Sequence, residues 1–159
     1  MGDGVVTGVA GKRDFTVISL EKSLMNSEVG FVQKVLSVIG KHGISFEHLP
    51  SGIDTMSLVI DNECLKHGAL SVILDEIKQA VQPDRLYVHE NIALVATVGH
   101  GMAKNVGTSA RLFTALSKAG INVNMIDQGS SELNIIVGVE NDDYVACIRA
   151  IYNEFFMEQ

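Results

Sequence analysis

The sequence matches itself when it is shifted by 77 positions. Val29-Gly30 falls on Val106-Gly107, and His42-Gly43-Ile44-Ser45-Phe46 falls on Ala119-Gly120-Ile121-Asn122-Val123. Ser51-Gly52 falls on Gln128-Gly129, and Leu58-Val59-Ile60 on Ile135-Ile136-Val137. Glycines recur where a turn is needed and apolar residues where a core is needed. A repeat this long predicts two small modules, since solenoid repeats are shorter. With 47% apolar and 19% charged residues in 159, the chain can build two packed cores and is not of disordered composition.

The pattern within each copy predicts the order βαββαβ. In the first, Phe15–Leu20 alternates as a strand, and Phe31, Val35, Val38, Ile39 and His42 follow at helical spacing with Gly43 as the stop. Val32 and Leu36 add a second apolar stripe to that helix. Ile44–Leu49 reads as a second strand, Pro50-Ser51-Gly52 as a turn and Thr55–Ile60 as a third strand. Leu65, Val72, Ile73, Ile77 and Ala80 mark a second helix closed by Pro83, and Leu86-Tyr87-Val88 starts a fourth strand. The second copy repeats this with strands Ile92–Val98, Ile121–Ile126 and Leu133–Val139, a helix Val106–Ala119, and a last helix through Tyr144, Ile148, Ile151 and Phe155.

This is an α+β class: two ferredoxin-like modules, each with helices on one face of antiparallel strands. The counterpart of Leu86 would be position 163, beyond Gln159, so the second copy lacks a fourth strand of its own. Val5–Val9 is β-rich and otherwise unused, and an unfilled sheet edge leaves backbone groups unpaired. We therefore expect it to complete the second module. Residues 14–89 then form the first module, inserted into a second made of 4–10 and 90–159.

Composition and motif searches exclude several functions. A net charge of −7, with no cluster of Lys or Arg, disfavours nucleic acid. An RNA-binding module of the same strand order stacks bases on aromatic residues, and here the central strands offer only Phe15 and Phe46. Cys64 and Cys147 do not fall on equivalent repeat positions, which points to a reduced, cytoplasmic protein without disulfides. Met1–Asp14 lacks the apolar core of a signal peptide, and the apolar run Ile92–Val98 is too short to span a bilayer. No Walker loop or GxGxxG is present, and Gly99-His100-Gly101 reads as a flexible loop entering a helix rather than a phosphate cradle. The five histidines have no metal-ligand spacing, so neither a metal nor a cofactor is expected. No nucleophile–base set is visible, and the chain is not expected to be catalytic by itself.

The loop entering the first helix of each copy is the better candidate: Ser23–Phe31 and Gly101–Gly107. Small and polar residues there leave helix N-terminal N–H groups free for a carboxylate. The following strand carries Ser45 and Glu47 in one copy and Asn122 and Asn124 in the other, at period two on one face. Glu47 would accept an ammonium group. Together these suit a free α-amino acid; a helix cap beside solvated strand residues explains the same pattern.

Val5-Val6-Thr7-Gly8-Val9-Ala10, Phe46-Glu47-His48-Leu49-Pro50-Ser51-Gly52-Ile53-Asp54 and Gly120-Ile121-Asn122-Val123-Asn124-Met125-Ile126 resemble segments of the regulatory portion of aspartate kinases. The first resembles the junction into that portion, the others the second strands of its two tandem ACT domains. The resemblance implies an interleaved pair of ACT domains that bind an end-product amino acid and inhibit a kinase domain, which phosphorylates aspartate with ATP. That kinase domain is absent here. The resemblance also implies a homodimer formed through ACT domains. By analogy with lysine-sensitive members, the effector would contact Met25, Ser27, Gly30, Phe31, Val32, Ser45, Phe46 and Glu47. Threonine-sensitive members imply a weaker second site at Val106, Gly107, Asn122 and Val123. For a lysine side chain, Glu28, Glu47 and Asp54 are the acidic partners on offer. A stand-alone amino-acid sensor with tandem ACT domains is the alternative.

Overall fold

The computed structural model describes residues 4–157. It divides into two units, one formed by Phe15–Glu90 and the other by the chain up to Asp14 together with the chain from Asn91 onward. The strands are β1 (Gly8–Glu21), β2 (Thr55–Asp61), β3 (Arg85–Val98), β4 (Met125–Asp127) and β5 (Asn134–Glu140). The helices are α1 (Phe31–Lys41), α2 (Ala69–Val81), α3 (Thr108–Lys118) and α4 (Tyr144–Phe156). β1 and β3 each give one half to either unit. Where they change unit stand Asp14 and Asn91, with φ of 69° and 59°. Asp and Asn are the side chains that best tolerate this left-handed backbone.

In the Phe15–Glu90 unit, β1 lies between β2 and β3. β1 and β2 pair antiparallel, from Phe15 opposite Asp61 to Glu21 opposite Thr55. Period two places Ile18 and Leu20 with Met56, Leu58 and Ile60 on one face, all buried. Onto that face α1 sets Phe31, Val35, Val38 and Ile39, and α2 sets Ile73, Ile77 and Val81. These spacings of three and four residues are the apolar stripe of an amphipathic helix. Gly43, at φ 66°, ends α1 as its position predicts, and Ile44 N–H turns back to the Ile39 carbonyl at 3.0 Å.

In the other unit the neighbours run β1, β3, β5, β4. The first half of β1 thus lies beside β3, and Thr7 N–H donates to the Val98 carbonyl at 2.7 Å just ahead of it. β3 and β5 pair antiparallel from Ile92 opposite Glu140 to Val98 opposite Asn134. Ala93, Val95, Ile135, Val137 and Val139 meet Leu112 and Leu116 of α3 and Cys147, Ile151 and Phe155 of α4. Val5 and Val6 are buried in the same core.

The structure corrects four expectations about elements. The strand expected at Val5–Val9 begins only at Gly8 and runs unbroken into Phe15–Leu20 as β1, with Val5–Thr7 irregular ahead of it. Leu86–Val88 and Ile92–Val98 are one strand, because polar His89-Glu90-Asn91 stays within the strand. Ile44–Leu49 is not a regular strand; it and the turn after it meet β2 only through bridges at His48–Val59 and Ser51–Met56. Pro50 has no N–H to continue a ladder there. Ile121–Ile126 shortens to β4, because Asn122 and Asn124, poor strand formers, hydrogen-bond to each other through their side chains at 2.8 Å. No helix is long and apolar enough to cross a membrane among the described residues.

Candidate functional site

Both entry loops fold alike from the 3₁₀ turn onward, although the residue before it is left-handed at Leu24, φ 61°, and right-handed at Gly101, φ −73°. Met25–Ser27 and Met102–Lys104 are single 3₁₀ turns, and each buries its methionine. Each loop ends on a left-handed glycine capping the next helix, Gly30 at φ 78° and Gly107 at φ 93°. The valines just before, Val29 and Val106, are 95% and 102% exposed. From the turn to the helix cap, the repeat therefore extends to backbone conformation and side-chain burial.

The first loop is held at Lys22, Ser23, Leu24 and Glu28 by its own partners. Ser23 N–H donates to Asp84 Oδ2 at 2.7 Å, and Leu24 N–H to Asp54 Oδ1 at 3.0 Å. Lys22 Nζ donates to the Val81 carbonyl at 2.6 Å, sits 2.8 Å from Glu28 and lies over the Phe31 ring at 5.5 Å. Lys34 Nζ bonds the other oxygen of Glu28 at 3.1 Å. Hydrogen bonds from Lys22 and then Lys34 hold the Glu28 carboxyl below its usual pKa.

Among the predicted contacts in this unit, Met25 and Phe31 belong to the core, and Val32 is half-buried against it. Burying such a side chain is worth about 1.5–3 kcal/mol, so stability alone accounts for these residue types. Ser27, Ser45, Phe46 and Glu47 are exposed. Ser45 Oγ is 3.9 Å from Cys64 Sγ, and Glu47 N–H donates to the Val59 carbonyl at 2.8 Å. The period-two face proposed for Ser45 and Glu47 is lost with the regular strand.

The second loop leaves its polar groups open. A cavity of about 560 Å³ lies between the turn Met102–Val106, Ser109 at the start of α3, and the loop Gln128–Glu132. Lys104, Asn105, Ser109, Gln128 and Glu132 have no side-chain hydrogen bond or ion pair among the described residues. Lys104 and Glu132 give the cavity one charge of each sign. Val106 lines it, and Gly107 caps the helix beside it. Asn122 is instead bonded to Asn124, whose amide donates to Glu140 at 2.9 Å, and Val123 packs on the core. The sequence points to Lys104 within the Gly101–Gly107 loop but not to Ser109 or the Gln128–Glu132 loop; the run of small polar residues Gln128-Gly129-Ser130-Ser131 was the available signal.

No group of three or more His, Cys, Asp or Glu side chains could hold a metal ion among the described residues.

The ACT-domain family model matches residues 95–155. Aspartokinase 3 of Bacillus subtilis is 37% identical over 97% of this chain and 34% of its own length. The crystal structure of Clostridium acetobutylicum aspartate kinase superposes with a TM-score of 0.91 and 55% identity, over 96% of this chain and 35% of that one. This chain is an ACT-domain regulatory region of the aspartate kinase type. Escherichia coli aspartokinase III, crystallised with lysine and aspartate, shares the fold at a TM-score of 0.79 and 24% identity, over 96% of this chain and 33% of that one. The chain spans about a third of the length of these kinases.

Proposed function

We propose that this regulatory region binds a free amino acid, lysine first and threonine second, and passes feedback inhibition to a cytoplasmic aspartate kinase domain. The likeness to the Clostridium acetobutylicum kinase over nearly the whole chain carries this reading. The entry loop of the Phe15–Glu90 unit is the effector site, with Ser27, Gly30, Ser45, Phe46 and Glu47 as contacts. Phe31 N–H donates to the Glu28 carbonyl at 3.3 Å, and the N–H groups that follow it in the first turn of α1 suit the carboxylate. Of the three acids available to a lysine ammonium, Glu28 is held by two lysines and Asp54 accepts from Leu24 N–H. Glu47 has no side-chain partner among the described residues and is the group assigned to it. The open cavity beside Met102–Val106 is the second, weaker site. Exposed Leu24, Val29 and Ile53 support a contact with a second copy of the chain. Inhibition then requires tighter effector binding to the inactive arrangement.

The test is thermal unfolding of the chain against lysine, threonine and methionine, singly and mixed. A ligand at 100 times its dissociation constant stabilises by about 2.7 kcal/mol. Glu47→Gln is expected to weaken lysine binding by about tenfold or more without changing the unliganded midpoint. No response to any of the three amino acids removes the effector assignment.

A further inference from the structure

The segment just ahead of β1 crosses the backbone of the loop that builds the open cavity. Val5 and Val6 are 5% and 4% exposed. A Cβ added at Gly99 would meet the Val5 carbonyl oxygen at 1.9 Å and Val6 Cα at 2.8 Å. A Cβ at Gly101 would meet Val5 Cα at 2.9 Å. Neither glycine has the left-handed φ that would explain it by backbone conformation alone. Both are required because another backbone lies where a side chain would stand.

The same glycines hold the turn that lines the cavity. Met102 N–H donates to the Gly99 carbonyl at 3.1 Å, and Lys104 N–H to the Gly101 carbonyl at 3.3 Å. Gly99 N–H donates to the Leu133 carbonyl at 2.9 Å, next to Glu132 on the opposite wall. Gly99 thus touches the N-terminal segment, the turn and the far wall together. The first copy supplies a control. Lys22 and Leu24 stand at the equivalent positions, and their carbonyls accept from Met25 and Ser27 at 3.1 and 2.9 Å. Lys22 shows that the turn does not need glycine at position 99, where the crossing segment does; at position 101 the two copies differ, Leu24 being left-handed at φ 61° and Gly101 right-handed at φ −73°.

We propose that Val5–Thr7 is a strap coupling the cavity to the chain that precedes Val5, the docked strap and the filled cavity favouring one arrangement of Gly99–Asn105. Linkage makes the coupling reciprocal: whatever displaces the strap weakens binding in the cavity by the factor by which binding holds the strap. The proposal rests on the reading above only for the identity of the molecule in the cavity.

Hydrogen exchange on the whole chain tests it. Thr7 N–H, bonded to Val98, reports the strap; Lys104 and Asn105 N–H report the turn. Gly99→Ala is expected to raise exchange at all three by about tenfold or more, leaving Val59 in the other unit at its wild-type rate. Gly40→Ala, in the other unit and with nothing within 4 Å of its added Cβ, is the control and changes none of them. Faster exchange at Thr7 with Lys104 and Asn105 unchanged overturns the proposal. If Gly99→Ala also strips protection from Leu116 and Ile151, Val5→Ser replaces it, removing the buried anchor without touching the turn, and the same outcomes decide. In a second arm, saturating L-threonine or L-lysine should slow exchange at Thr7 together with the turn. Binding that protects Lys104 and Asn105 but leaves Thr7 unchanged overturns the coupling. Absence of binding counts against the effector assignment, and the variants then decide the strap.

Discussion

Leu20 and Thr97 hold the same position in the two copies, and both are sealed from solvent at 0% exposure. Leu20 packs among apolar neighbours, whereas the Thr97 hydroxyl has no hydrogen-bond partner. A buried unpaired hydroxyl loses its bonds to water and gains none in return. Thr97→Val keeps the shape and removes the unpaired group, so it is expected to stabilise by about 1 kcal/mol. For a chain this size that raises the midpoint by about 2–4 °C. A lower midpoint for the valine variant in calorimetry would mean that the hydroxyl is satisfied in solution.

Arg111 ties α3 to the end of α4. Its guanidinium lies 4.6 Å over the Phe155 ring, Nε donates to Glu154 Oε1 at 2.9 Å, and Nη2 donates to the Glu154 carbonyl at 3.2 Å. The carbonyl bond caps a helix end, and the flat fork serves the ring and the carboxylate at once. Arg111→Ala is expected to cost about 1–2 kcal/mol. Arg111→Lys should recover less than half of that, because an ammonium cannot stack and fork together. Full recovery by lysine in denaturant unfolding would reduce the contact to simple charge pairing.

The two-copy architecture was legible because glycine stops and apolar faces recur at one shift; Gly43 and Gly120 both end their helices at positive φ. Gly99 and Gly101 were not legible. Their requirement comes from Val5, which lies about ninety residues away in sequence, and no local spacing records such a crossing. The edge segment Ile44–Leu49 reads as a strand by propensity, yet Pro50 and one-sided exposure leave it only isolated bridges. The candidate site was half legible: the entry loops were found from their small residues. Which loop has its polar groups held depends on Asp54, Asp84 and Lys34, which arrive from elsewhere in the unit.

Acid should act first on the Phe15–Glu90 unit. Glu28, Glu76 and Asp84 all lie there with folded pKa values below their ordinary ones. The leading causes are the bond from Lys22 for Glu28, from His42 at 2.9 Å for Glu76, and from Ser23 N–H for Asp84. A depressed carboxylate binds protons less in the folded state, so its contribution is complete above the unfolded pKa and fades as pH falls through the folded one. Loss therefore begins near the ordinary values of 4.5 for Glu and 3.8 for Asp and grows below them. Exchange at Val59 is expected to accelerate between about pH 5 and 3 more than at Val137, and Glu28→Gln should reduce that difference. Equal acceleration in both units would show that these pairs do not govern acid sensitivity.

Alkali should act on the other unit, through Cys147. Both cysteines are free thiols, but Cys147 is completely buried while Cys64 is half-buried. Burial first, and the nearby Asp143 charge second, push the Cys147 thiol from 9.0 up to about 12. A raised acid pKa means that the folded state keeps its proton while the unfolded chain ionises. Stability from this group is therefore intact below the ordinary value of 9.0 and declines as pH rises from there toward the folded one. At pH 8 the folded thiol is ionised in only about one molecule in ten thousand, so alkylation must wait for opening of the unit. Pulsed labelling should modify Cys64 promptly and Cys147 at a rate that follows unfolding. Cys147→Val, apolar and of similar size, should flatten the alkaline decline. Prompt labelling of Cys147 in the native protein would contradict the burial from which this prediction is drawn.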